Sequence, residues 1–263
     1  MKVVSLASGS KGNAYLVESG GRLLLIDCGI SCRTLAERMR RTGFDLSALI
    51  GVVVTHNHHD HIDGLPMLHR KMPDVPVFAN LMTAEAATAT NREVPEDMFT
   101  LFENGQEFEL GPFAVHPFSI PHDVPDPVGF LVKADGKTYF HATDMGMPLK
   151  SVGLKLREAD VATLESNHDV TLLRRSGRHI SLIQRIAGNR GHLSNYQAAE
   201  MVEEFAGEKL RKLFLAHLSQ DCNVPHLALK ETGEALARRG LAAKVDVETL
   251  EQFAPGRVYD AGL

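Results

Sequence analysis

Between Thr55 and His61 the chain reads Thr55-His56-Asn57-His58-His59-Asp60-His61. Four candidate ligands, His56, His58, Asp60 and His61, thus follow directly on the apolar run Ile50-Gly51-Val52-Val53-Val54. Imidazole and carboxylate together suit zinc, manganese or iron. A tight turn can aim His56 and His58 at one ion and Asp60 and His61 at a second. Two ions roughly 3.5–4 Å apart clamp a displacement from both sides and generate a hydroxide nucleophile. A histidine-rich surface loop is the plainer reading. Against it, the cluster stands at the end of an expected strand, where catalytic loops sit.

The elements that must position this loop are legible from apolar runs and turn residues. Strands are expected over Lys2–Ala7, Ala14–Ser19, Arg22–Ile26, Ile50–Val54, Phe113–Ile120, Gly129–Ala134, Thr138–Ala142, Val161–Glu165 and Leu213–Ala216. Helices are expected over Ser31–Thr42, with Gly43 as its stop, and over Thr83–Asn91, Ser194–Phe205 and Leu227–Arg238. The Ser194-to-Gln197 spacing is that of a capping box. Early strands run together and later ones alternate with helices, a layered α/β pattern. With no repeat, low-complexity tract or long linker, one domain over residues 1–263 is the default.

Composition narrows the function classes. The 263 residues carry 28 Lys+Arg and 33 Asp+Glu, a formal net charge of −5, which argues against a protein that coats nucleic acid with basic charge all over. No apolar run approaches the roughly 20 residues of a membrane span, and the N-terminus lacks a secretory h-region. Three cysteines cannot build a disulfide framework and fit a reducing, cytoplasmic setting. Cys28 and Cys32 lack a second pair, so a structural zinc site is not expected.

One local charge pattern departs from the average. Val170 to Ala199 holds Arg174, Arg175, Arg178, Arg185 and Arg190 and no Asp or Glu. A solvated helix face is the usual reading of scattered arginines. The lack of compensating acid favours contact with a phosphate backbone. The Gly9–Gly12 turn is not a Walker loop. Either a tight hairpin turn or a rim of backbone N–H groups fits it.

The pattern His56-x-His58-x-Asp60-His61 resembles the signature of the metallo-β-lactamase superfamily. Other positions match in order. Asp27, after Leu23–Ile26, resembles the first-motif aspartate, and His122 in Ile120-Pro121-His122-Asp123 the third-motif histidine. Asp144 in Ala142-Thr143-Asp144-Met145-Gly146 resembles the bridging aspartate, and His217 in Leu215-Ala216-His217-Leu218-Ser219 the final ligand. His116 competes with His122 but lies mid-strand, whereas His122 lies at a strand's end. Asp135, near a plain Asp-Gly turn, is discounted as the bridge.

Within the superfamily, four runs resemble the YycJ (WalJ) branch: Ser8–Asn13, Asp27–Ser31, Glu165–Asp169 and Gly191–Asn195. That branch is similar to ribonuclease Z and ribonuclease J and is described as 5′–3′ exonucleases acting on DNA. The resemblance runs from Ser5 to Asn223. It implies an α/β four-layer αβ/βα sandwich and a metal-dependent phosphodiesterase acting on a DNA end, or an RNA end. It also implies two divalent metal ions, zinc or manganese, and a metal-bound hydroxide. One ion would take His56, His58 and His122, the other Asp60, His61 and His217, with Asp144 bridging.

The catalytic groups implied are His192, as general acid oriented by Glu165, together with Asp60 and Asp27, the latter orienting a ligand or the hydroxide. Substrate contacts are expected from Arg174, Arg175, Arg178, Arg190, His168, Ser194 and Asn13. A small-molecule hydrolase of the same fold (cyclic phosphodiesterase, thioester hydrolase or lactonase) would share every ligand and is the alternative. A β-lactamase role is disfavoured without an export signal. A binding protein with a vestigial centre is disfavoured because every ligand position is filled. The stretch from Asp144 to His217 leaves no room for the extra domain of ribonuclease J, and the long arm of ribonuclease Z is not evident.

Overall fold

The computed structural model describes residues 1–263, the side chain of Glu96 aside. Six strands open the chain: β1 (Lys2–Ala7), β2 (Ala14–Ser19), β3 (Arg22–Ile26), β4 (Leu49–Val53), β5 (Val77–Ala79) and β6 (Phe99–Leu101). Seven more follow as β7 (Phe108–Leu110), β8 (Phe113–Ser119), β9 (Val128–Ala134), β10 (Lys137–Ala142), β11 (Val161–Glu165), β12 (Lys212–Ala216) and β13 (Asp246–Thr249). A short β14 (Tyr259–Asp260) returns to the first sheet. The first sheet runs β14-β1-β2-β3-β4-β5-β6 and the second β13-β12-β11-β10-β9-β8-β7.

Side-chain alternation explains the layering. Along β3, Leu24 and Ile26 join Val128, Phe130 and Phe214 of the second sheet in the layer between the sheets. Leu23 and Leu25 turn the other way and pack with Leu35, Met39 and Leu65 of the covering helices. Those helices are α1 (Cys32–Arg41), α2 (His59–Ile62), α3 (Leu65–Lys71) and α4 (Leu81–Thr90). On the outer face of the second sheet lie α5 (Lys150–Leu156), α8 (Asn195–Phe205) and α9 (Pro225–Arg238), while the short α6 (Val170–Arg174) and α7 (Ile180–Ile186) lie outside that core, α7 beside the candidate site. Leu131, Phe140, Leu164 and Leu213 meet Met201 and Val202 of α8 and Leu236 of α9 in the third core. With both faces covered, the strands read as nearly continuous apolar runs. The four layers are those expected from the family resemblance.

Three strand ends turn abruptly. Asp27, Asp144 and His217, just beyond β3, β10 and β12, have left-handed φ of 59°, 60° and 56°. Such a backbone costs about 1–3 kcal/mol at a residue other than glycine and gathers at functional sites. Asp tolerates it better than His. A fourth device is close approach: a Cβ on Gly29 would stand 1.6 Å from the carbonyl oxygen of Asp60. Glycine there lets the chain after Asp27 lie directly against the histidine loop.

Candidate metal centre

The expected ligands converge at the C-terminal ends of strands from both sheets, where open α/β folds bind their ligands. His56, His58 and His122 form one cluster of candidate ligand atoms, and Asp60, His61 and His217 another. Asp144 lies between them. Its Oδ2 is 3.2 Å from Nε2 of His61, and its Oδ1 is 3.6 Å from Nε2 of His217 and 3.9 Å from Nε2 of His122. His116, on β8, joins neither cluster among the described residues.

The ring nitrogens that face away from the clusters decide what the others can do. Nδ1 of His61 sits 2.7 Å from Oδ2 of Asp27, and Nδ1 of His122 sits 3.1 Å from the carbonyl of Gly191. Nδ1 of His217 sits 3.2 Å from Oε1 of Glu165. Thr55 Oγ1 donates to Asp27 Oδ2 and so accepts from Nδ1 of His56, 2.9 Å away. Each outer nitrogen therefore donates, which leaves the inner Nε2 of His56, His61, His122 and His217 as a lone pair. Asn13 Nδ2 faces Nε2 of His61 at 3.0 Å, but so many lone pairs and carboxylates pointing at one another suit a cation between them. Asp144 Oδ2 makes the same demand, since it is fully buried with no hydrogen-bond donor. The donor set thus fits divalent metal ions.

Proton affinities tell the same story. Burial alone would push His61 and His217 down. Asp27 and Asp144 outweigh it at His61, and Asp144, Asp60 and Glu165 lift His217 to about 10. His58 falls to about 4, first through burial and then through the neighbouring histidines. Burial would raise Asp60, yet His61 and His217 hold it at about 2. The carboxylates draw protons onto two histidines, charge that a metal would otherwise supply.

Around the clusters stand groups that fix them. Asp27 Oδ1 accepts from the backbone N–H of Thr55 at 2.8 Å, which ties the end of β3 to the start of the histidine loop. Asn13 donates from Nδ2 to Oδ2 of Asp60 at 3.1 Å. Glu165 is fully buried, and its Oε1 lies 2.8 Å from Nδ1 of His192. Its Oε2 accepts from the backbone N–H groups of Met145 and Leu193. At His192, burial pulls the ring's proton affinity down, but the charge and hydrogen bond of Glu165 outweigh it and hold the ring above its usual value. The ring stays 21% exposed.

The expected substrate contacts divide. Arg174 and Arg175 are exposed on α6 and just beyond it, with no carboxylate partner among the described residues. Arg178 pairs with Asp221 at 2.8 Å, and Arg185 with Asp123 at 2.6 Å. Arg190 donates to the carbonyl of His122 at 2.9 Å. Acids absent from the segment itself are therefore supplied by remote loops, and the cationic stretch is partly neutralised. Ser194 caps α8 in a capping box with Gln197, as its spacing predicts. Ser194, Asn13 and His168 are all buried, engaged in helix capping, in holding Asp60 and in loop pairing, and present little surface to a substrate. In the Gly9–Gly12 turn the N–H groups of Gly9, Lys11 and Gly12 are spent internally, which fits the hairpin reading and not the anion rim.

Four contributors were not singled out from sequence. Thr55 links Asp27, His56 and His61. Ser8 accepts from the backbone N–H of His217 at 2.8 Å. Asn167 donates to the carbonyl of His217 at 2.8 Å. Asp123 holds Arg185 beside His58 and His122. Each lies inside a quoted motif or one residue from a ligand, and that adjacency was the available signal.

Comparison with known proteins shows the family and the fold. A family model described as "Beta-lactamase superfamily domain" matches residues 22–245. The chain is 32% identical over 235 residues to a Bacillus anthracis protein named exodeoxyribonuclease YycJ, covering 89% of each chain. It is 31% identical over 248 residues to Streptococcus pneumoniae exodeoxyribonuclease WalJ, covering 94% of this chain and 92% of that one. Among solved structures, the metallo-beta-lactamase fold protein YhfI from Bacillus subtilis superposes with a TM-score of 0.71 at 19% identity, covering 98% of both chains.

Proposed function

The chain belongs to the beta-lactamase superfamily, and on that premise we propose that it is a metal-dependent exonuclease that removes nucleotides from DNA ends. The observation that carries the reading is the pair of ligand clusters joined by Asp144 in a chain similar along most of its length to two exodeoxyribonucleases. Polarity is taken as 5′ to 3′, as the family resemblance implies. Residues 1–263 are read as one hydrolase domain, acting in the cytoplasm.

His56, His58 and His122 would hold one divalent ion, Asp60, His61 and His217 the second, and Asp144 would face both. Zinc and manganese both suit these donors. When bound, such ions neutralise phosphate charge and supply a nucleophile at neutral pH. The chain's own groups do the rest. Asp27 fixes the ring of His61 through Nδ1. Glu165 fixes His192 and keeps it protonated, so that its Nε2 can pass a proton to the departing oxygen. Arg174 and Arg175 would meet the phosphate backbone.

The partial neutralisation of the cationic segment by Asp123 and Asp221 favours a second reading, a small-molecule hydrolase of the same fold. Digestion of end-labelled single- and double-stranded DNA and RNA, with zinc or manganese supplied, separates the two. Stepwise loss of nucleotides from one end, absent in Asp144→Asn, is expected. No cleavage of any polymer under either metal overturns the nuclease reading.

A further inference from the structure

Across the ligand clusters, on the other wall of the same cavity of about 330 Å³, stand Leu182 and Ile186 of α7. This helix contributes no buried residue to the fold, yet four of its seven side chains are aliphatic. Ile180 is 61% exposed, and Leu182 and Ile186 are half-buried at the cavity's mouth. Core packing does not account for them.

The wall is nonetheless fixed in place. The backbone N–H of His192 donates to the carbonyl of Ile186 at 2.9 Å. Gly191 packs so closely that a Cβ there would stand 2.2 Å from the carbonyls of Arg185 and Ile186. The pairing of Arg185 with Asp123 ties the helix to the loop that carries His122. One segment thus sets both the proposed acid and an apolar surface facing the ligands.

A phosphodiester alone has no use for aliphatic side chains. A nucleotide does, because its base presents flat apolar faces that pockets of nucleic-acid enzymes cover with aromatic or aliphatic groups. We propose that Leu182 and Ile186 form one wall of a subsite for the terminal nucleobase of the strand being cleaved. The centre then reads a nucleoside as well as a phosphate. This inference rests on the nuclease reading above.

The test compares a strand ending in an ordinary nucleotide with one ending in an abasic residue. Wild-type protein should cleave the base-bearing end about tenfold or more faster in kcat/KM. Leu182→Ser combined with Ile186→Ser should bring that ratio close to one, and Leu182→Met should keep it. Calorimetric binding gives a readout free of turnover. Deoxyadenosine 5′-monophosphate should bind more tightly than 2-deoxyribose 5-phosphate to wild type but not to the double variant. A ratio that survives in the double variant, or no preference in wild type, overturns the proposal. Cleavage of neither end by wild type overturns the nuclease reading, and this wall's role with it.

Discussion

Oε1 of Glu165 lies 2.8 Å from Nδ1 of His192, and the same oxygen lies 3.2 Å from Nδ1 of His217. One buried carboxylate thus orients both the proposed acid and a candidate ligand, while its second oxygen holds the backbone beside Asp144 and His192.

Glu165→Gln should therefore act through His192. The negative charge holds that ring's proton affinity up against burial, so removing it lowers the value. An acid must be protonated, and activity falls as pH rises through its pKa. The alkaline limb of the pH–rate profile should move to lower pH, with turnover down about 10–100-fold. An unmoved limb would show that His192 is not the titrating acid.

Asp144→Asn should lose metal without unfolding. Asn tolerates the left-handed φ of 60° at this position. In the metal-free protein the substitution removes one of the charges that, against burial, draw protons onto His61 and His217. Metal content should fall and exonuclease activity drop to background, while the metal-free protein should still unfold in one cooperative transition. Full metal occupancy in the variant would remove Asp144 from the ligand set.

Metal binding should release protons. Without metal, His61 and His217 are held above the ordinary histidine range, His217 at about 10, so both carry a proton at pH 7. Ligation requires the neutral rings. Calorimetry in buffers of differing ionisation enthalpy should show about two protons released per loaded site at pH 7. Binding should weaken as pH falls. Release of none would show that both rings are already neutral before the metal binds.

Neutralising Arg174 and Arg175 together should weaken DNA binding and lower the slope of log affinity against log salt by about 1.5. Arg178→Ala should change that slope less, because Asp221 already pairs with it. Equal effects would mean that the pairing does not persist in solution.

Gly29→Ala should destabilise the protein by about 1–3 kcal/mol, since its Cβ meets the carbonyl of Asp60 at 1.6 Å. Thermal denaturation measures the loss. Because the clash falls on the ligand loop, metal affinity should fall with it.

Much of this was legible in the chain. Spacing after a strand marked His56, His58, Asp60 and His61, and ordered motifs marked His122, Asp144 and His217. Strands with four or more alternating or continuous apolar residues, such as Leu23 to Ile26, were visible. The two- and three-residue strands β5, β6, β7 and β14 were not, because so short a run has no period and exists through its pairing partners. Helix α2 runs through the ligand motif itself, where histidine content masks helical patterning. The partners of Arg178 and Arg185 were invisible for a different reason. Asp221 and Asp123 are 43 and 62 residues away in sequence, and a local charge pattern carries no record of such pairings.

The ligands come from both leaves of the sandwich. The loop after β4 brings His56, His58, Asp60 and His61 from one sheet, while the ends of β8, β10 and β12 bring His122, Asp144 and His217 from the other. Metal bound there would act as a rivet across the seam between the sheets. Chelation should leave the seam free to gape at that edge first, with hydrogen exchange and proteolytic nicking rising around residues 55–61 and 217–223 before the far edge responds.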